Sequence, residues 1–529
     1  MSRRVVVVGA GPGGLAAAML LAASGADVTL LEQRDRVGGR SGWIDAEGFR
    51  FDIGPTFFLY PRILREIFAA CGADLDRAVD LIRLDPLYRL VFEGTGQERG
   101  GEAGRSGVTD LRVWSDPTRL ADAIAVLAPD DARNLNAYRA DNLRKLEAFR
   151  PVLERPFRGA HDLLAPPVLK ALRHMRPFTS VDQDLGRWFR DERIRLAFSF
   201  QSKYLGMSPF RCPSLFTILS FLEHEHGVWH PRGGCSRVMA AMADVLRAMG
   251  VRVRLGEPAR RIRFMGRRAT GVETDAGTYP ADAVVIGADF ARAMTALVPD
   301  GLRRRWTDAR IATKKFSCST YMLYLGIEGR VDLDHHTILL SRDYRRNIRE
   351  IEEGTALPTD PSLYVQNAGV SDDSLAPPGC STLYVLVPVG NLAGGMDWTR
   401  DIAAFRSRVL RRLEILGLTD LERRIRVERT MTPRDWADDL SVFRGATFNL
   451  AHSLDQMLHF RPRNRFEDLD RVYLVGGGTH PGSGLPVIFE GARITARLVG
   501  QDLGLTLPGM VREGSGAGLG DALSAVGAE

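Results

Sequence analysis

The segment from Arg4 to Arg40 constrains this chain more than any other. Residues 4–8 (Arg-Val-Val-Val-Val) are β-branched and nearly all apolar, the pattern of a parallel strand buried on both faces. Gly9-Ala10-Gly11-Pro12-Gly13-Gly14 follows at once. Residues 12–24 then read as a helix ended by Gly25, and residues 27–32 (Asp-Val-Thr-Leu-Leu-Glu) as a second strand. Together they make one βαβ unit. Its glycines have separate tasks. Gly9 permits the tight turn, Gly11 lets the backbone approach a pyrophosphate, and Gly14 lets helix and strand pack closely. The diphosphate belongs at the start of the helix, beside Pro12 and Gly13, where unpaired amides and the helix dipole attract anions. Glu32 stands about 20 residues on, where a carboxylate accepts hydrogen bonds from ribose hydroxyls. A glycine-rich turn without a ligand leaves the placement of Glu32 unexplained.

Ser2-Arg3-Arg4 before an apolar run also looks like the start of a signal peptide. Four glycines interrupt that run, so the segment is read as the first strand instead. Gly38-Gly39-Arg40 follows Glu32 closely. A second close-approach backbone with a guanidinium beside it suits the diphosphate of a long flavin dinucleotide. The cofactor is therefore read as FAD; for Arg40 taken alone the competing reading is a surface salt bridge.

The remaining chemistry needs more than one core, and 529 residues supply it. Hydrophobic residues at 45% and charged residues at 26% are ordinary for a globular chain. A formal net charge of +6 makes no case for a nucleic-acid partner and suits an anionic membrane surface. The five cysteines are scattered and form no CxxC pair. That argues against a disulfide framework or structural zinc and favours a reducing compartment. No uninterrupted apolar stretch reaches about 18 residues, so no spanning helix is predicted.

Strand signals return at 251–255, 259–264, 283–286 and 471–475, the last followed by glycines and an amphipathic helix over 488–503. The predicted architecture is α/β. A Rossmann-like FAD-binding domain is built from the discontinuous segments 1–75, 231–300 and 465–505. A mixed β-sheet plus helical substrate domain comes from 76–230 and 301–464. Residues 133–200 form its helical part, and 400–416 its clearest single helix. Residues 93–110, rich in Gly, Glu, Arg and Ser, are expected at a solvated hairpin tip, and 506–529 as a flexible tail.

Five stretches carry a resemblance. They are Gly9 through Arg40; Phe51-Asp52-Ile53-Gly54-Pro55-Thr56; Gly227-Val228-Trp229-His230-Pro231-Arg232-Gly233-Gly234; Asp360-Pro361-Ser362-Leu363-Tyr364-Val365 with Ala376-Pro377-Pro378-Gly379; and Tyr473 through Pro486, including Gly476-Gly477-Gly478-Thr479-His480-Pro481-Gly482-Ser483-Gly484-Leu485-Pro486. On these the chain resembles the bacterial-type phytoene desaturases, carotenoid desaturases within the larger amine-oxidase-like flavoprotein group. The likeness spans about residues 4–503, and the Thr-His-Pro-Gly stretch is its most specific part. It implies that Gly54, Pro55 and Thr56 lie near the flavin ring. It also implies that Gly478, Thr479, Gly484, Leu485 and Pro486 run past the pyrophosphate and ring. After Pro486, relatives have small residues. This chain has Val487-Ile488-Phe489-Glu490-Gly491-Ala492-Arg493, which brings bulky Phe489 and acidic Glu490 toward the ring.

The reaction so implied is removal of two hydrogens from adjacent carbons of a long polyisoprenoid or carotenoid hydrocarbon. Hydride passes to the flavin, and oxygen or a quinone serves as the final electron acceptor. The cofactor carries the hard chemistry, and the sequence duly holds neither GxSxG nor HExxH. Two catalytic candidates follow. Glu490, beside an apolar cavity, is a proton acceptor or donor, or else an ion-pair partner of Arg493. His480 is a proton relay, or else a hydrogen bond that organises a tight loop. His224-Glu225-His226 has i, i+2 spacing, wrong for one helix face, and reads as polar surface rather than metal site; no metal is predicted.

Residues 142–178 carry eight Lys or Arg against three acids, interleaved with an apolar stripe and broken by Pro166-Pro167. Such a segment packs on a core or lies in a bilayer interface. A hydrocarbon that cannot diffuse through water favours a peripheral membrane enzyme, cytoplasmic and on the inner face of the cell membrane. The competing functions are a carotenoid terminal oxidase, a retinol-saturase-like reductase and an amine oxidase. A non-enzymatic lipid carrier on the same fold is the alternative outside catalysis.

Overall fold

A computed structural model describes residues 3–94 and 108–508. Residues 509–529 of the tail expected over 506–529, and most of the hairpin tip, lie outside the described residues.

Five parallel strands form the first sheet, in the order Arg252–Arg254, Asp27–Leu31, Arg4–Val8, Ala283–Ile286, Val472–Leu474. The alternating sides of the valine run explain why it is apolar throughout. Val5 and Val7 pack on helix Pro12–Ala23 with helices Cys235–Ala248 and Leu485–Leu503. Val6 and Val8 face the other way, onto the antiparallel strands Ala259–Met265, Arg268–Thr274 and Gly277–Pro280 and helix Phe290–Leu297. Helix Pro12–Ala23 begins with proline at its first turn, where no amide is missed. Its last helix neighbour starts earlier than the sequence periodicity indicates, at Leu485 instead of 488, because Pro486 occupies the same favourable first-turn position.

A second, seven-stranded mixed sheet runs Ile425–Met431, Ser319–Glu328, Cys380–Val389, Leu363–Asn367, His336–Leu339, Tyr88–Glu93, Val108–Val113. One face packs on helix Trp398–Glu414 through Leu323, Leu325, Val385 and Val387. The other turns Tyr324 and Tyr384 toward Phe49, Phe51 and Ile53. A helical layer, including Leu135–Leu153, Pro166–Met175 and Ile218–His226, covers the end nearest Tyr88.

The basic segment 142–178 does not present one continuous stripe. Phe149, Val152, Phe157 and Val168 are buried together, while Leu143, Leu164, Leu169, Leu172 and Phe178 are exposed. Pro166 divides the segment by starting a new helix. Among the described residues no helix is long and apolar enough to cross a membrane, and no group of side chains could hold a metal ion.

Candidate flavin site and substrate wall

Two glycines of the first turn, Gly9 and Gly14, occupy positions that a side chain would strain or block. Gly9 has φ of +98°, and a Cβ on Gly14 would stand 1.9 Å from the Gly9 carbonyl oxygen. A Cβ on Gly11, by contrast, would meet nothing within 4 Å. So Gly14 serves packing and Gly11 serves access. The amide of Gly38 donates to the Ala10 carbonyl at 2.8 Å. A Cβ on Gly39 would lie 3.5 Å from Gly11 Cα, so the two glycine backbones face each other across the mouth of the helix.

Glu32 is 6% exposed, and both of its carboxylate oxygens are anchored, to the Ala10 amide at 2.7 Å and the Arg34 amide at 3.0 Å. Burial raises its pKa, and the Arg34 and Ala10 amides oppose that rise. Each oxygen retains a lone pair for a ribose hydroxyl. Arg40 donates to the Thr447 carbonyl at 2.7 Å. With its amide oxygen turned to Arg40, Asn449 accepts from both terminal guanidinium nitrogens at 2.8 and 3.0 Å, and its nitrogen donates to Asp289 at 2.6 Å. Burial lowers the pKa of Arg40 and the Asp289 charge raises it. The guanidinium is thus held by groups more than 200 residues away in sequence, beside the cradle it was expected to serve.

The closing segment completes the same cradle. A Cβ on Gly13 would touch Val475 at 3.0 Å and Ile488 at 3.1 Å, so the two helix N-termini lie side by side. Gly484 has φ of +106° with nothing within 4 Å of its missing Cβ, and Leu485 and Pro486 open the helix there. Gly478 is closed in by Phe290 at 2.7 Å, and Thr479 is buried with its amide on the Gly476 carbonyl. The two helix N-termini that these glycines open adjoin each other, and ends of this kind attract anions.

Opposite the cradle, the turn 53–56 is clamped by the seven-stranded sheet. Tyr324 donates to the Ile53 carbonyl and Tyr384 to the Gly54 carbonyl, each at 2.6 Å. Tyr364 bonds the Thr56 hydroxyl at 2.6 Å, and Gln366 donates to the Thr56 carbonyl at 3.3 Å. A Cβ on Gly54 would meet the Arg40 carbonyl at 2.5 Å, so Gly54 and Pro55 carry the chain past Arg40 to the tyrosine wall. Asp52, just before, caps helix Cys235–Ala248 by accepting from the Cys235 and Ser236 amides at 2.7 and 3.0 Å. Burial lifts its pKa to about 6, against the pull of those two amides.

A family model described as flavin containing amine oxidoreductase matches residues 12–503. The chain belongs to this family. Within it the chain falls among the carotenoid desaturases. A 4,4'-diapophytoene desaturase (4,4'-diapolycopene-forming) of Methylomonas is 41% identical, over 94% of this chain and 96% of the relative. A lycopene-forming phytoene desaturase of Pantoea ananas is 35% identical, over 94% and 99%. Among solved structures, an oxidoreductase from Methanosarcina mazei superposes with a TM-score of 0.64 at 17% identity, over 93% and 99% of the two chains. A putrescine oxidase bound to putrescine gives 0.59 at 17%, over 95% and 99%. At such identities these neighbours establish the fold, a mixed α/β flavoprotein architecture.

The family's cofactor is a flavin, and the cradle fits one. It offers free first-turn amides, an unobstructed Gly11 and Gly484, and a buried carboxylate with spare lone pairs.

The two catalytic candidates have partners of their own. Glu490 is buried and paired with Arg493 at 3.1 Å, and Arg493 continues to Glu66 at 2.9 Å. Burial raises its pKa and the Arg493 charge lowers it. The neighbouring Phe489 lies in the core beneath the first helix, stacked at 6.5 Å on Phe58. The His480 Nε2 bonds the Arg155 carbonyl at 3.0 Å, and its ring meets Phe157 edge-on at 4.9 Å. Burial pushes its pKa down to about 3, leaving the imidazole neutral. His224 departs from the surface expected of it. It is 3% exposed and packed edge-on against Phe198, while His226 lies against Tyr60.

Sequence reading missed Asp289, Asn449, Asp52 and the three tyrosines. Asp52 lies 183 residues before the helix it caps, so no local pattern announces that role.

Proposed function

We propose that the chain is an FAD-dependent desaturase of a linear carotenoid precursor, phytoene or diapophytoene, acting in carotenoid biosynthesis. One observation carries this reading. A turn that abuts the Arg40 side of the cradle is fixed by its carbonyls to tyrosines of the opposite sheet, so a flavin held in the cradle would have an aromatic wall beside it. FAD supplies a two-electron acceptor when bound. Glu32 would hold the ribose and the two helix ends the diphosphate, while the tyrosines fix the turn 53–56. The aromatic wall excludes water from an oxidisable hydrocarbon. The high identity to desaturases along nearly the full length supports the same substrate class.

The reading includes oxygen or a quinone as electron acceptor, and a cytoplasmic enzyme peripheral on the inner face of the cell membrane. Supporting this, Leu164 in the turn before helix Pro166–Met175 and Phe178 in the turn after it are 72% and 93% exposed, and Lys170 and Arg173 are exposed on the helix between them. Flotation with anionic liposomes should carry the protein upward at low salt, and less so after Phe178→Ser. Failure to float removes the membrane part.

Expression in cells accumulating phytoene, diapophytoene or lycopene tests the activity. Coloured, more conjugated products from either of the first two are expected. Oxygenated ends on lycopene would instead support the terminal oxidase, and a colourless purified protein that takes up no flavin would support the lipid carrier.

A further inference from the structure

The buried carboxylates of this chain are compensated by cations or by backbone amides. Asp184 faces Lys145 and Arg176. Asp131 accepts from the Arg190 and Asp191 amides, each at 2.8 Å. Asp372 is held by His230 at 3.0 Å and by the Gly233 amide at 2.6 Å. Glu223 has neither. It is 0% exposed on helix Ile218–His226; Tyr88 at 3.1 Å and Gln201 at 2.9 Å donate to its Oε2, and Tyr204 also favours its charged form. Its Oε1 has no partner, and neither has the Gln201 amide oxygen. The titratable groups that bear on it are Tyr88, Tyr204 and Tyr138; among the described residues no Lys or Arg acts on it. Its helix neighbours are engaged elsewhere, Glu225 with Arg139 and His224 with Phe198.

An aromatic path joins this carboxylate to the clamped turn. Phe57, next to Thr56, packs on Tyr204 at 5.6 Å and on His336 at 5.3 Å. Tyr204 meets Phe200 at 5.9 Å, and Phe200 meets Tyr88 at 5.0 Å. A buried anion without a counter-charge is costly unless charge develops beside it during the reaction. Loss of hydride from a hydrocarbon creates that charge, and a saturated neighbour then has a C–H proton to give up.

We propose that Glu223 is the proton acceptor of the desaturation. The proposal rests on the desaturase reading above. One carbon of the CH–CH pair releases its hydrogen as hydride, with the bonding electron pair, to the oxidised flavin, which is thereby reduced by two electrons. The adjacent carbon releases its hydrogen as a proton to the Glu223 carboxylate, which becomes a carboxylic acid. The electron pair of that second C–H bond becomes the new π bond. Burial lifts the Glu223 pKa to about 7, against the pull of Gln201, Tyr204 and Tyr88. Both protonation states are then accessible near neutrality, as a general base requires.

The test uses the flavin-loaded protein, anaerobically, with liposomes carrying phytoene or diapophytoene. The rate of flavin bleaching in the wild type should rise with pH through about 7. Glu223→Gln should keep its flavin yet bleach about a hundredfold or more slowly, without that pH dependence, and Glu223→Asp should regain part of the rate. Without substrate, infrared difference spectra taken on either side of neutrality should contain the carbonyl stretch of a protonated carboxylic acid, absent from Glu223→Gln. Bleaching by Glu223→Gln at the wild-type rate overturns the proposal. Should that variant not fold, a flat wild-type pH profile overturns it equally. If neither hydrocarbon bleaches the wild type, the desaturase reading itself has failed, an outcome distinct from equal rates in the two proteins.

Discussion

The two ends of the helical element 214–226 bury acid in opposite ways. At its start, Thr217 accepts from Lys145 at 3.0 Å, and Lys145 pairs with Asp184 and Asp141 while Arg176 closes the far side. The Arg176 and Lys145 charges hold Asp141 below the usual carboxylate range despite its burial. Near its end, Glu223 is met by the neutral groups Tyr88, Gln201 and Tyr204 and, among the described residues, by no cation. Tyr138 lies between them and feels both Asp184 and Glu223. The same layer therefore contains a charge cluster that is complete in the resting protein and a carboxylate that is not. The first locks helices Leu135–Leu153 and Val181–Leu185 together; the second stores an unfavourable charge that the reaction can use.

The largest expected effect breaks the complete end. Lys145→Met leaves Asp184 and Asp141 to Arg176, with Arg187 and Arg144 only at 4.0 Å, and should cost about 3–5 kcal/mol, read as a lower urea midpoint with flavin content per folded chain unchanged. A loss under about 1 kcal/mol would mean that the cluster is solvated and the contrast false.

The opposite sign is expected at the other end. The Glu223 pKa of about 7 in the folded protein lies above its ordinary 4.5. Stability from its protonated form is therefore fully present below 4.5 and is lost as pH rises to about 7. Glu223→Gln carries no such loss. It should be more stable than the wild type by about 3 kcal/mol above neutrality, with the difference vanishing in acid. Urea midpoints across pH measure this. A variant that is more stable yet slower is the signature of a group retained for function.

How much of this was legible follows from how far apart the cooperating residues are. The cradle was legible because its parts lie within one βαβ unit, so Gly9, Gly11, Gly14 and Glu32 betray themselves by spacing. The Arg40 partners Thr447, Asn449 and Asp289 come from distant segments, and no local pattern announces them. Glu490 drew notice by its nearness to the closing glycines. The helix turns it instead toward Arg493, its i+3 neighbour, a pairing the spacing also allowed. Glu223 sits one residue before the His-Glu-His that attracted attention, and its isolation depends on Tyr88, Gln201 and Tyr204 meeting around it. An absence of cations cannot be seen until three separate stretches are folded against one another.

The smallest effect sharpens the contrast most directly. Tyr88→Phe removes one of two donors from the Glu223 Oε2 while leaving the ring that meets Phe200 edge-on. The charged carboxylate loses a stabilising hydrogen bond worth about 1.5 kcal/mol, the protonated acid loses less, and the Glu223 pKa should rise by up to about one unit. The pH profile of flavin bleaching and the infrared carbonyl band should move to higher pH together. The tyrosine hydroxyl has no other route to both readings, because its own ionisation is pushed well above its ordinary value by burial and the Glu223 charge. If the rate profile moved without the band, Tyr88 would be acting on the substrate. If neither moved, the Glu223 carboxylate would draw its stabilisation from Gln201 and Tyr204, and the two ends of the helix would differ less than their partners indicate.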